Sequence, residues 1–337
     1  MHVVIRADGG PDIGYGHLIR SNALAEEILS RGHEVSIATT TPEPAGFVFP
    51  DASEIIGLTS RSNPEPFIDQ LGSIQPDIVF TDAYPVDTEY QMAVRSEVPL
   101  AVLQDDARHA VCADVFVNGN LYASNLSYEF VGQRPELCLG TEYVLLRSEV
   151  RDYIAAEAPF RENPERALVV MGGSDIANVT PTVIRAFDGF DLQVDAVVGP
   201  GVPESQVEEV KSTAEAVEAD VQVLRDPDDL VERMFRADFA VSTASSTTYE
   251  LLGLGTPIIS IPVVDNQELI ADALRDRSAA TVLERGAGKE ELRKAVREYK
   301  SNSVLRRERR AIGQQLVDGR GAERTCSEIL SVVENDG

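Results

Sequence analysis

The sequence predicts an α/β protein built from two successive parallel-sheet halves. Three observations predict it. The chain has 337 residues, more than one hydrophobic core usually organises, since domains cluster near ~100–150 residues. Short β-branched runs alternate with helical patterns along its whole length, the grammar of parallel strands joined by right-handed helical crossovers. Each half also carries a glycine-rich turn between a strand and a helix, where open α/β sheets bind ligands.

In the first half, residues 2–7 read as a strand and 17–31 as a helix. Leu18, Ala23, Leu24, Ile28 and Leu29 fall on one side of that helix, and Gly32 stops it. Residues 34–39, 77–81, 100–104 and 114–117 read as further strands, with a helix over 87–97. In the second half, strands are expected over 166–171, 193–198, 221–224, 239–242 and 257–263. Helices are expected near 180–187, 204–216, 230–236, 247–254, 267–277 and 290–299. The charged stretch 146–165 holds Pro159 and Pro164 and marks the boundary, dividing the chain into residues 1–155 and 156–337. The tail, 303–334, is helical in pattern and is expected to pack back towards the first half.

Composition excludes several function classes. The apolar fraction of 43% is ordinary for a globular chain, and no apolar run approaches the ~20 residues that span a bilayer. The opening His2-Val3-Val4-Ile5 reads as a strand without a basic start or a cleavage site, so a cytoplasmic protein is expected. Cys112, Cys138 and Cys326 are far apart, so buried free thiols are expected, with neither a zinc site nor a disulfide framework. With 56 acidic against 30 basic residues, the net charge is −26, which repels nucleic acid and anionic lipid. Lys211, Lys289, Lys294 and Lys300 are the four lysines, so nearly all cations are arginine. An acidic, lysine-poor chain fits a salt-rich cytosol. At ~1 M salt charges are screened within ~3 Å, against ~10 Å at 0.1 M. Raising KCl from 0.1 to 2 M is therefore expected to lift the melting temperature by several degrees, read by circular dichroism; a flat or falling trend would show that self-repulsion does not limit this fold.

The first loop runs Asp8-Gly9-Gly10-Pro11-Asp12-Ile13-Gly14-Tyr15-Gly16-His17. Gly14-x-Gly16 lacks the third glycine of a dinucleotide fingerprint, the second strand ends in Thr39-Thr40-Thr41 without an acid, and no lysine supports a phosphate-binding P-loop. His17 opens a helix at the sheet's carboxyl edge, where an imidazole is placed to accept a proton, and Asp8 is expected to orient its ring. A capping or packing role for His17 competes with this. His109 lies in a polar loop with either role open.

In the second half, Gly172-Gly173-Ser174-Asp175 with Asn178 forms an anion cradle or an ordinary turn capped by Thr180. Ser245 and Ser246 precede Glu250, whose carboxylate suits the two hydroxyls of a ribose; equally, Thr247 and Glu250 form a capping box. Asn266 and Gln267 sit at the next strand edge, where Asn266 either binds or caps. Arg20 and Arg147 are candidates to neutralise phosphate or to salt-bridge an acidic surface. No cluster of Asp, Glu or His suggests a metal, and no cofactor is expected.

Taken together, these residues resemble the nucleotide-sugar hydrolases of pseudaminic acid biosynthesis. Those enzymes cleave UDP-2,4-diacetamido-2,4,6-trideoxy-β-L-altropyranose to free sugar and UDP. The likeness runs through Arg6-Ala7-Asp8-Gly9, Ile13-Gly14-Tyr15-Gly16-His17, Arg20 and Leu24-Ala25. It continues through Asp82-x-Tyr84, Asp105-Asp106, Asn118 and Tyr143-x-Leu145-Leu146-Arg147. Gly172-Gly173-Ser174-Asp175, Asn178, Glu250 and Asn266-Gln267 complete it, so it spans nearly the whole chain in order.

The resemblance implies the GT-B architecture, two Rossmann-like domains facing each other across a cleft. It implies His17 as the base that activates water, with inversion and without metal, and Tyr84 as support. It places the nucleotide on Gly173, Ser174, Glu250 and Gln267, with Gly14, Gly16, Arg20, Gly172, Asp175, Asn178, Ser245, Ser246 and Asn266 completing the binding set. The implied partner is a small nucleotide-sugar and the implied state a monomer. One departure stands out: family members often carry serines where this chain has Gly9-Gly10-Pro11. The alternative is a GT-B glycosyltransferase using a UDP-sugar donor, similar to the membrane-associated enzyme that adds N-acetylglucosamine to a lipid-linked acceptor. A silent nucleotide-sugar binding protein and a 2-epimerase stand behind these.

Overall fold

The computed structural model describes residues 1–10, 13–156 and 159–336. By internal contacts the chain divides into Met1–Ser148 with Gly319–Gly337, and Glu149–Asp318. Division thus falls at the start of the charged stretch, and the last segment belongs with the first unit.

The first unit contains β1 (His2–Ala7), α1 (Gly16–Ser30), β2 (Glu34–Thr39), α2 (Pro42–Val48), β3 (Glu54–Gly57), α3 (Glu65–Ile74) and β4 (Ile78–Asp82). It continues with α4 (Thr88–Arg95), β5 (Leu100–Leu103), β6 (Val115–Asn118) and β7 (Glu136–Leu139). All seven strands are parallel, in the order β3-β2-β1-β4-β5-β6-β7. Helices cover both faces, which is why β1 and β4 read as near-continuous apolar runs and not as alternating ones.

The second unit contains α5 (Ser148–Ile154), β8 (Arg166–Val170), α6 (Thr180–Ala186), β9 (Gln193–Val198), α7 (Glu204–Glu215) and β10 (Asp220–Arg225). It continues with α8 (Leu230–Arg236), β11 (Phe239–Ser242), α9 (Ser246–Leu254), β12 (Ile258–Ser260), α10 (Glu268–Asp276), β13 (Ala280–Val282), α11 (Lys289–Ser301) and α12 (Ser303–Leu316). Its six parallel strands run β10-β9-β8-β11-β12-β13. The two sheets repeat one topology. In each, the first strand lies beside the fourth, and the crossover direction reverses between them. That reversal opens a crevice at the strands' carboxyl ends. The loops after β1 and β4, and those after β8 and β11, sit at these switch points.

α13 (Gly321–Asp336) lies against α1. Ala322, Cys326, Ile329 and Leu330 share a core cluster with Leu24, Ala25 and Ile28. Arg31 secures the pair, donating to the Glu323 carbonyl at 2.9 Å and to Ser327 at 3.0 Å. All three cysteines are buried free thiols, and burial pushes Cys138 up to about 12. No helix among the described residues is long and apolar enough to cross a membrane.

Three edge or near-edge strands, β3, β7 and β13, are absent from the sequence reading. Each has three or four residues and is only partly buried, so none carries the apolar run that identifies a buried strand. The strand expected over 257–263 stops at Ser260. The helix expected over 87–97 starts one residue later, because the Asp87 carboxylate caps it by accepting from the Tyr90 amide at 2.9 Å.

Candidate active site

The loop after β1 closes on itself. Gly10 and Gly14 exchange backbone hydrogen bonds of 3.0 and 2.8 Å, and Gly14 takes φ +82°, a conformation glycine adopts without strain. Pro11 and Asp12 lie outside the described residues. A Cβ on Gly9 would meet Leu18 Cγ at 2.6 Å, so glycine here lets α1 pack down onto the strand. The helix therefore begins at Gly16 and sets His17 in its first turn.

His17 Nδ1 lies 2.6 Å from Asp82 Oδ1, the last residue of β4. Ala7 and Asp82 are register partners, so the strand pairing itself brings this carboxylate under the helix start. Arg20, one turn on, donates to both Asp82 oxygens at 2.6 and 2.5 Å, and its other Nη reaches Asp105 at 2.9 Å. Ser21 adds a hydroxyl at 3.2 Å. Burial alone would raise the Asp82 carboxyl. The charges of Arg20 and His17 and their hydrogen bonds outweigh it and hold Asp82 well below the usual carboxylate range. Asp82 is thus an anion that accepts the Nδ1 proton, which leaves Nε2 as the proton-accepting nitrogen.

Tyr84 stands beside this pair. Its ring meets the His17 ring edge-on with centroids 4.6 Å apart, and the Arg108 guanidinium lies 4.8 Å from its centroid. Burial, then the nearby Asp105 carboxylate, raises the Tyr84 hydroxyl and keeps it neutral. These groups line a shallow pocket that opens to solvent. Val86, Val102 and Leu103 line its apolar part.

Two expectations are corrected here. Asp8 does not orient His17. Its carboxylate pairs with Arg6 at 2.7 Å and accepts from the Thr40 amide and hydroxyl at 2.8 and 2.9 Å, in the core on the β2 side. Arg20 has its guanidinium committed to two carboxylates, so it is a strut for Asp82 and not a free phosphate ligand. The orienting group, Asp82, carried a signal in the sequence: it is a charged residue closing the buried run Ile-Val-Phe-Thr.

In the second unit, Gly172 takes φ +84°, and Gly173 and Ser174 are exposed. Asp175 is turned inward, accepting from the Val179 and Thr180 amides at 2.9 and 3.0 Å. Its carboxylate caps α6, which corrects its place among the ligand-binding candidates and displaces Thr180 as the cap. Asn178 donates to Glu209 at 2.9 Å. Ser245, with Thr248, forms the capping box of α9 in place of the expected Thr247 and Glu250; Ser246 opens the helix and Glu250 falls in its second turn. Gln267 accepts from the Val263 amide at 2.9 Å, which makes it a loop staple, whereas Asn266 is exposed.

The sequence reading missed Gly199 and Gly201 after β9. A Cβ on Gly199 would lie 2.4 Å from the Gly173 carbonyl oxygen, and the Gly201 amide donates to that oxygen at 2.9 Å. This turn is the floor under the Gly172–Ser174 loop, and the atoms obstructing a Cβ on Gly199 are all backbone atoms of Gly173. Gly199→Ala is expected to cost about 1–3 kcal/mol by overpacking. Urea unfolding checks it, and a midpoint equal to that of the native sequence would show that the floor yields freely.

No protein-family model matches the chain. Over 349 residues it is 24% identical to the spore coat polysaccharide biosynthesis protein SpsG of Bacillus subtilis, with 100% of both chains covered. It is 24% identical over 275 residues to the UDP-2,4-diacetamido-2,4,6-trideoxy-beta-L-altropyranose hydrolase of Campylobacter jejuni, covering 80% of this chain and 95% of that one. Among solved structures, MurG of Acinetobacter baumannii superposes with a TM-score of 0.71 at 16% identity, over 98% of this chain and 99% of that one. These are distant sequence relatives and a close likeness of architecture: two Rossmann-like domains with parallel sheets, the GT-B fold.

Proposed function

We propose that this protein hydrolyses a UDP-linked acetamido-deoxy sugar to free sugar and UDP, in nonulosonic (pseudaminic-type) acid or surface glycan biosynthesis. The observation that carries this reading is the 2.6 Å contact of His17 Nδ1 with Asp82, which frees Nε2 to act as base. In the reaction, Nε2 takes a proton from water as the water oxygen bonds to the anomeric carbon. The bond from that carbon to the diphosphate breaks, and its electron pair leaves with UDP. Attack opposite the leaving group inverts the anomeric centre. UDP is a good leaving group, and helix N-termini stabilise a departing diphosphate, so the reading needs no metal. Tyr84 supports the imidazole. Gly14 and Gly16 allow close backbone approach. Gly173, Ser174, Ser245 and Ser246 offer amides and hydroxyls to phosphate, and Glu250 suits the ribose. The Campylobacter and Bacillus relatives, named for a UDP-sugar hydrolase and for polysaccharide biosynthesis, support this choice.

The test incubates the protein with UDP-, GDP- and CMP-sugars in high-salt buffer and follows products by NMR. Stoichiometric free sugar and UDP are expected, with the opposite anomer appearing first. Tight UDP binding without release from any donor would favour the second reading, a glycosyltransferase using a UDP-sugar donor, which the architectural likeness to MurG supports.

A further inference from the structure

The pocket beside His17 holds a second imidazole, His109, in the loop between β5 and β6. That loop is stapled from within. Gln104 donates through its Nε2 to the carbonyls of Asp106 at 2.7 Å and of His109 at 3.2 Å, which fixes the backbone at both points. The charged groups around the pocket satisfy one another: Arg20 with Asp82 and Asp105, and Arg108 with Asp106. Asn120 also donates to Asp105 at 3.0 Å.

Four polar groups lining the same pocket retain hydrogen-bonding capacity. The Thr81 hydroxyl is buried without a partner. The Tyr84 hydroxyl, His17 Nε2 and the half-buried His109 ring make no hydrogen bond among the described residues. Of the four only Thr81 is fully buried, where an unsatisfied polar group destabilises a fold by ~1–3 kcal/mol. The Tyr84 hydroxyl and the two imidazoles are open to solvent, and polar groups that converge on one pocket in this way are placed to bind a polar ligand. His17 and His109 approach this pocket from different strand ends, with Asp82 and Tyr84 of the intervening β4 end between them.

We propose that His109 is a substrate-contacting residue, hydrogen-bonding a polar substituent of the sugar ring and helping to select which sugar the pocket accepts. This rests on the nucleotide-sugar reading above, but not on the direction of the chemistry. His109 differs from His17 in role: among the described residues no carboxylate hydrogen-bonds its ring to fix a tautomer, so it serves as a donor or acceptor to whichever group faces it.

The experiment compares His109→Ala and His109→Gln with the native sequence in two measurements. The first is calorimetric affinity for UDP and for each UDP-sugar of a panel bearing hydroxyl or acetamido substituents. The second is kcat/KM for any donor that is turned over. His109→Ala is expected to leave UDP affinity within twofold. It is expected to weaken the sugar-dependent gain in affinity, and kcat/KM, by about 10–100-fold, the range for losing one hydrogen bond in a pocket. His109→Gln, which keeps a donor and an acceptor, is expected to recover part of the loss and to change the rank order of sugars. An unchanged ratio of UDP-sugar to UDP affinity in His109→Ala overturns the proposal, as does a parallel loss of UDP binding. Because the affinity ratio needs no turnover, failure of hydrolysis and failure of this assignment are read separately.

Discussion

Replacing His17 by Ala is expected to lower kcat by about 10²–10⁴-fold, the usual contribution of a general base, while UDP affinity stays within twofold. His17 touches Asp82, Tyr84 and Arg20, all of them lining the same pocket, and makes no other hydrogen bond or ring contact among the described residues, so its loss should remove chemistry with little loss of structure. Asp82→Asn sharpens the test. An amide at position 82 offers one acceptor oxygen where the carboxylate offers two, and it leaves Arg20 half paired. The tautomer of His17 is then no longer fixed, and a loss of comparable size in kcat is expected with little change in KM. Single-turnover kinetics with a donor identified by NMR would check both. Retention of more than a tenth of native turnover in His17→Ala would remove His17 from the role of base. A full effect in His17→Ala with none in Asp82→Asn would confine the role of Asp82 to structure.

The second large effect concerns stability. Arg6 and Asp8 form an ion pair whose side chains are 0% and 1% exposed. Burial by itself would raise the Asp8 carboxyl, but Arg6 and the Thr40 amide and hydroxyl bring it down to about 2 from an ordinary 3.8. Because the folded value is depressed, the stabilisation is fully present above about pH 4. It fades as pH falls through about 2, and its size is about 2 kcal/mol by linkage. Asp8→Asn is expected to lose more than that at neutral pH, about 3–5 kcal/mol, because Arg6 would remain charged in the core without its partner. The variant should also lack this component of the decline between pH 4 and 2. Urea titrations at pH 7, 4 and 2 on both proteins measure the two effects. Identical pH slopes would show that Asp8 is not the group whose protonation drives acid unfolding.

How far the sequence was readable follows from what each element is made of. β1, β9 and β11 stand out because most of their letters are apolar and most of their residues are buried. β3 and β7 do not, since partial exposure mixes polar residues into runs of four. The loops after β1, β8 and β11 were legible through their glycines and small hydroxyl residues, which mark a strand-to-helix turn. Partnerships across the sheet were not. Asp8 is nine residues from His17 and Asp82 is 65 away, yet the pairing of β1 with β4 makes the distant carboxylate the neighbour. Asp175 shows the same limit in reverse, since an acid in a candidate anion loop proved to be the cap of the following helix. Gly199 was silent because its role is to be absent, leaving room for the backbone of Gly173.

The return of α13 to the first unit means that this unit is not finished by its first 148 residues. During synthesis the ribosome releases the seven strands early, but the part of α1 that lies against α13 stays uncovered until residues 319–337 emerge. The intervening unit, Glu149–Asp318, is complete before then. Folding in the cell should therefore run inside-out, with the second unit closing first and the unit that bears His17 maturing last. A nascent chain stalled before residue 319 would carry an exposed apolar face for a chaperone to hold.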